Sequence, residues 1–302
     1  MKKMRIPLLV VLALAIIGII FGSIFDLQLS QAIASSTNGF GLTISVIGPT
    51  IGFCAMAILG GAFIAFALHG DYNKYLKIFF WIIAAVAFGV GIYYGGKEYF
   101  GTNGFNNKSL KWIGYLIVIL PLAGSEYLGY RLFKDNENKN MWIILLIGIV
   151  AFALALVGFV NILKMIMHRP RFRTVVSTDV EFHNWWQRCA NYKDLMKTFN
   201  LASEEFKSYP SGHTTEACMV FIPVIFLPLS NKKYEKYQLK AFICAALFVG
   251  LVALARILAA AHYLSDVSTG ATITTLLIFC ANEIVIRNKK LQLDVTEVEE
   301  DA

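Results

Sequence analysis

The amino-acid sequence predicts an all-α, polytopic membrane helical bundle. The 302-residue chain is 57% apolar and only 16% charged, and its mean hydropathy is +0.60. Its apolar residues also gather into eight runs of the length that a hydrocarbon core about 30 Å thick demands, roughly 20 residues of helix each. The runs are residues 6–25, 42–68, 78–94, 112–130, 141–163, 211–229, 241–258 and 267–286.

The first run follows the basic residues Lys2, Lys3 and Arg5. It exceeds the roughly 7–15 apolar residues of a signal peptide, so it reads as a retained span although Ala32 and Ala34 would suit a peptidase. The third run is short, and the sixth contains Pro223 and Pro228, which membrane helices tolerate when neighbours re-satisfy the backbone. Glu126 sits in the fourth run, where an ionisable group implies either function or snorkelling to the nearby helix end. Cys54, Cys218, Cys244 and Cys280 lie in apolar runs as small hydrophobes, and Cys189 in a polar loop, with neither disulfide nor metal spacing.

Charge orients the bundle. With the N-terminus inside, the short inside segments carry Lys2, Lys3, Arg5, Lys74, Lys77, Arg131, Lys134, Lys139, Lys232, Lys233, Lys236, Lys240, Arg287, Lys289 and Lys290. The short outside loops carry Lys97, Lys108 and Lys111. Fifteen against three places both termini in the cytoplasm of a multi-pass cell-membrane protein. The same dispersal excludes nucleic acid as a partner, since no basic stripe with aromatic platforms forms. Three parts are expected: N-terminal helices over 1–140, a core over 141–290 with a long extracytoplasmic loop over 164–210, and a polar cytoplasmic tail over 291–302.

Polar groups break the apolar pattern in three clusters: Lys164 to Arg171, Pro210-Ser211-Gly212-His213, and Arg256 with His262 and Asp266. Helix parity brings all three to the extracytoplasmic face. Lys164, Arg171 and Arg256 bring positive charge, and the guanidinium fork suits phosphate or carboxylate. Ser211 and Gly212 precede a helix, so their N–H groups can cradle an anion. His262 and Asp266 are four residues apart on one helix face, which lets the carboxylate hold one ring nitrogen and leave the other as nucleophile. His213 is then the general acid.

These clusters resemble the three-part signature of the type 2 phosphatidic acid phosphatase superfamily. That signature reads Lys, six residues, Arg-Pro; then Pro-Ser-Gly-His; then Ser-Arg, five residues, His, three residues, Asp. Here Phe172 stands where the family has proline and Ala255 where it often has serine, and Arg169-Pro170 offers the first motif a second partner at a shorter spacing. The resemblance spans roughly residues 141–286. It implies a six-helix phosphatase core with two extra N-terminal helices and a reaction without metal or cofactor. In that reaction His262 attacks, the phosphohistidine is hydrolysed by water, and Lys164, Arg171, Arg256 and the Ser211–Gly212 backbone stabilise the transferred group.

The expected substrate is a lipid phosphate held in the bilayer, such as phosphatidate or phosphatidylglycerophosphate. Undecaprenyl diphosphate, a soluble sugar phosphate and a non-hydrolytic anion or lipid transporter are the alternatives. Each residue alone has a blander reading, as a snorkelling anchor, a cap or a turn; their joint spacing favours a site. His168 and His183 read as surface residues. Phe182, Trp185 and Trp186 read as an interfacial belt. A metal site of His213, His262 and Asp266 is disfavoured by the three cations around it.

Overall fold

A computed structural model describes residues 2–100 and 110–291; the tail beyond Leu291 lies outside the described residues. The described residues contain no strand, and eight helical segments are long and apolar enough to cross a membrane. The first four are α1 (Arg5–Ile33), α2 (Gly39–His69), α3 (Lys74–Lys97) and α4 (Lys111–Phe133). Each runs past the apolar stretch that announces it, because the helix continues until a capping or loop residue stops it; Asn38 and Asn73, for example, accept N–H bonds at the starts of α2 and α3.

The fifth span is compound: α5 (Met141–Ala153) passes through a π-helical stretch, Leu154–Asn161, into α6 (Ile162–Met167). The loop beyond it carries α7 (Phe172–Ser177) and α8 (Tyr192–Thr198) around a small core of Val180, Cys189 and Phe206. The sixth span is broken into α9 (Gly212–Ala217) and α10 (Phe221–Phe226), with 3-10 turns at Cys218–Val220 and Leu227–Leu229. Pro223 and Pro228 lack the N–H that a continuous helix needs. The last spans are α11 (Gln238–Leu258) and α12 (Leu264–Arg287).

α2 lies at the centre. It packs on α3 and α4 on one side and on α9 and α11 on the other, and small residues (Gly48, Gly52, Ala55, Ala57, Gly60, Gly61, Ala62) let backbones approach it closely. At Gly52 a Cβ would run into the Glu216 carbonyl of α9. α1 docks on α12. Large apolar side chains such as Ile6, Leu120 and Leu247 are 73%, 81% and 70% exposed, as side chains facing hydrocarbon are.

Candidate active site

The two sides of the site are tied by backbone pairing. Arg171 N–H donates to the Glu205 carbonyl at 2.9 Å and Ser208 N–H to the Arg169 carbonyl at 3.0 Å, so residues 169–171 run alongside 205–208. Arg173 makes a bidentate ion pair with Glu205 at 2.6 and 2.9 Å. Burial pushes both Glu204 and Glu205 up, but Lys207 and Arg173 respectively outweigh it and hold them below the ordinary carboxyl range. This loop therefore stays charged and locked at neutral pH.

His262 is 1% exposed. Its Nδ1 faces two acceptors, the Ser208 carbonyl at 2.6 Å and Asp266 Oδ2 at 3.7 Å. The ring hydrogen therefore belongs on Nδ1, and Nε2, 3.4 Å from Arg171 Nη1, keeps its lone pair. Burial, reinforced by Arg171 and Arg256, holds the imidazole well below the ordinary histidine range despite Asp266. It is neutral at pH 7. The carbonyl of Ser208 is thus the closer orienting group, where the sequence suggested the carboxylate alone.

Asp266 is fully engaged. It accepts from Arg169 at 2.6 Å, the Ser208 hydroxyl at 2.5 Å and the Tyr263 N–H at 2.9 Å, the last as a capping box opening α12. Arg171 donates to the carbonyls of Glu204 and Ala261 at 2.8 and 3.0 Å. Arg256 is fully buried, and none of its three guanidinium nitrogens has a hydrogen-bond partner. A buried guanidinium in that state can receive an anion.

Lys164, Arg171, Gly212, His213 and His262 line one cavity of about 450 Å³. Arg256 lies close enough to act on both histidines. One expectation is corrected here: the Ser211 N–H donates to the Asp266 carbonyl at 3.0 Å, and its hydroxyl caps α9 by accepting from Thr214 N–H at 3.4 Å. Ser211 is spent on holding α9 to α12. The open first-turn donors are those of Gly212 and His213, and Gly212 has no Cβ where Lys164 Nζ would be 3.0 Å away.

Groups from outside the signature also take part. Glu98, at the end of α3, lines the cavity and places Oε2 3.3 Å from His213 Nε2. Arg169 has no exposed surface and is enclosed by Asp26, Ser265 and Asp266, with the Tyr263 ring 4.1 Å away. It does not line the cavity, whereas Arg171 does. His168 stacks on Tyr192. Trp185 donates to Ser23 of α1 at 2.9 Å and stacks on Tyr209, so it pins the loop, while Trp186 is 51% exposed. Glu126 packs against Gly60 of α2 and is not part of the cavity wall.

Fold and cavity together define a multi-pass membrane protein with a histidine beside a cationic anion pocket. A family model described as PAP2 superfamily matches residues 144–290, and this segment belongs to that superfamily, whose members are phosphatases. No curated protein and no solved structure matches the chain.

Proposed function

We propose that the protein hydrolyses a lipid phosphate ester at the extracytoplasmic membrane surface through a phosphohistidine on His262. The observation that carries this reading is the buried Arg256 guanidinium, without a hydrogen-bond partner, close to Lys164, Arg171 and His262, whose Nε2 faces the cavity with Arg171 Nη1 3.4 Å away. In the first step Nε2 forms a bond to phosphorus as the bond to the leaving oxygen breaks, and His213 supplies that oxygen with a proton. Lys164, Arg171, Arg256 and the first-turn N–H groups of α9 neutralise the equatorial oxygens. Water then attacks phosphorus, His213 takes its proton, and the P–N bond breaks to release phosphate and restore the imidazole.

Eight apolar spans support a substrate whose tails stay in the bilayer. The charge bias supports an extracytoplasmic site. The cations around the histidines support chemistry without a metal.

Purified protein should release phosphate from phosphatidate or phosphatidylglycerophosphate with chelator present, and a parallel assay with undecaprenyl diphosphate separates monoester from diphosphate preference. His262→Ala should abolish both hydrolysis and acid-labile protein-bound phosphate. Undiminished hydrolysis by His262→Ala would sink the mechanism, and anion flux without phosphate release would establish a transporter.

A further inference from the structure

We infer that Asp26, on the first helix and outside the segment matched by the superfamily, is a positioning residue that sets the basicity of His262 through Arg169 and Asp266. The inference rests on the phosphohistidine reading. Asp26 is 2% exposed in the 29-residue apolar helix α1, and both of its oxygens are used. Oδ2 accepts from Arg169 Nη2 at 2.9 Å and from the Ser265 hydroxyl, and Oδ1 accepts the Ser265 N–H at 2.9 Å. Ser265 is in the first turn of α12, so Asp26 caps from another helix the turn that carries Asp266. α1 comes close enough for this only because residue 22 is glycine: a Cβ there would sit 2.6 Å from Ser265 N and 2.7 Å from Asp26 Oδ1.

Charge counting gives the arrangement its consequence. Arg169 contributes one positive charge, and Asp26 and Asp266 one negative charge each, so the cluster behind His262 is net −1. If Arg169 faced Asp266 alone, the pair would be neutral. His262 would then feel the nearby Arg171 and Arg256 and, around the cavity, Lys97, Glu98, Lys164, Glu204, Lys207, His213 and Glu216, with no net negative charge at its back. Asp26 thus keeps Asp266 effective against the cations that bind phosphate. A buried cluster of three charges does little for stability as such, which favours a role in the reaction.

Asp26→Asn in the full chain keeps the side-chain size and removes the charge. It should lower kcat severalfold and by no more than about tenfold, because a less basic nucleophile reacts more slowly, while KM stays within about twofold since Asp26 does not line the cavity. The acid limb of kcat/KM should move to lower pH by roughly half to one unit. The pH midpoint for carbethoxylation of His262 by diethyl pyrocarbonate, read by mass spectrometry, should move with it. Gly22→Ala retains the charge but wedges α1 off α12, so a smaller shift in the same direction is expected; it carries the test if Asp26→Asn does not accumulate.

A merely structural role would reduce the yield of active protein and leave both pH positions in place, and unshifted midpoints in an active variant overturn the inference. A shifted carbethoxylation midpoint alongside a wild-type protein that releases no phosphate would instead overturn the phosphohistidine reading and leave the link between Asp26 and His262 standing.

Discussion

At the scale of single residues, the proposed function has Arg256 held for binding at the expense of the fold. Enclosing a guanidinium without a hydrogen-bond partner costs several kcal/mol after relaxation, against which the protein sets only the longer-range attraction of Glu98 and Glu216. Arg256→Met should therefore leave the unfolding temperature in detergent unchanged or raise it, while kcat/KM falls roughly 10²–10³-fold; parallel losses of stability and activity would contradict this. His262 makes a second pair of expectations. Burial keeps its folded-state pKa well below 6.5, so the acid limb of kcat/KM should lie below that value. The unfolded chain takes up its proton near pH 6.5 and the folded chain does not, so this residue's contribution to stability is present above that pH and is lost as pH falls below it. Comparing the pH dependence of unfolding in wild type and His262→Asn checks the sign. The signature positions were legible in the sequence because charge in an apolar run is conspicuous. Asp26 and Glu98 were not, since their partners are far along the chain, 143 positions for Asp26 and Arg169, and the Ser208 carbonyl that orients His262 carries no side-chain signal at all.

At the scale of elements, the eight spans could be read from hydropathy because hydrocarbon leaves backbone groups few ways to be satisfied. The π-helical stretch Leu154–Asn161 could not. Its residues differ little from those of α5, and only packing decides where a turn widens. It nonetheless shapes the site, for Leu156 and Asn161, eight and three residues ahead of Lys164, form cavity wall. The position of α9 is fixed in the same indirect way, through its contact with α2 at Gly52. Gly52→Leu should cost roughly 1–3 kcal/mol and also depress activity, because the displaced helix carries Gly212 and His213. Gly89→Leu on α3, where a Cβ meets nothing within 4 Å, is the matched control and should behave as wild type in thermal unfolding and phosphate release.

At the scale of the whole molecule, the N-terminal helices are integral to the site, since α1 brings Asp26 to α12 and α3 brings Glu98 to the cavity. The cavity and its loop occupy one end of the bundle, so the side of the membrane that this end faces determines which pool of substrate is reached. Parity requires the loop after the fifth span and the basic turn after the sixth to lie on opposite sides. The second of these carries Lys232, Lys233 and Lys236, which the positive-inside rule assigns to the cytoplasm. Lys197 in the loop and Lys233 in the turn are both exposed, so cysteines placed there report topology without disturbing the core. In intact cells a membrane-impermeant maleimide should label Lys197→Cys at once and Lys233→Cys only after permeabilisation. The reverse pattern would move the proposed site to the cytoplasmic face and, with it, the pool of substrate within reach.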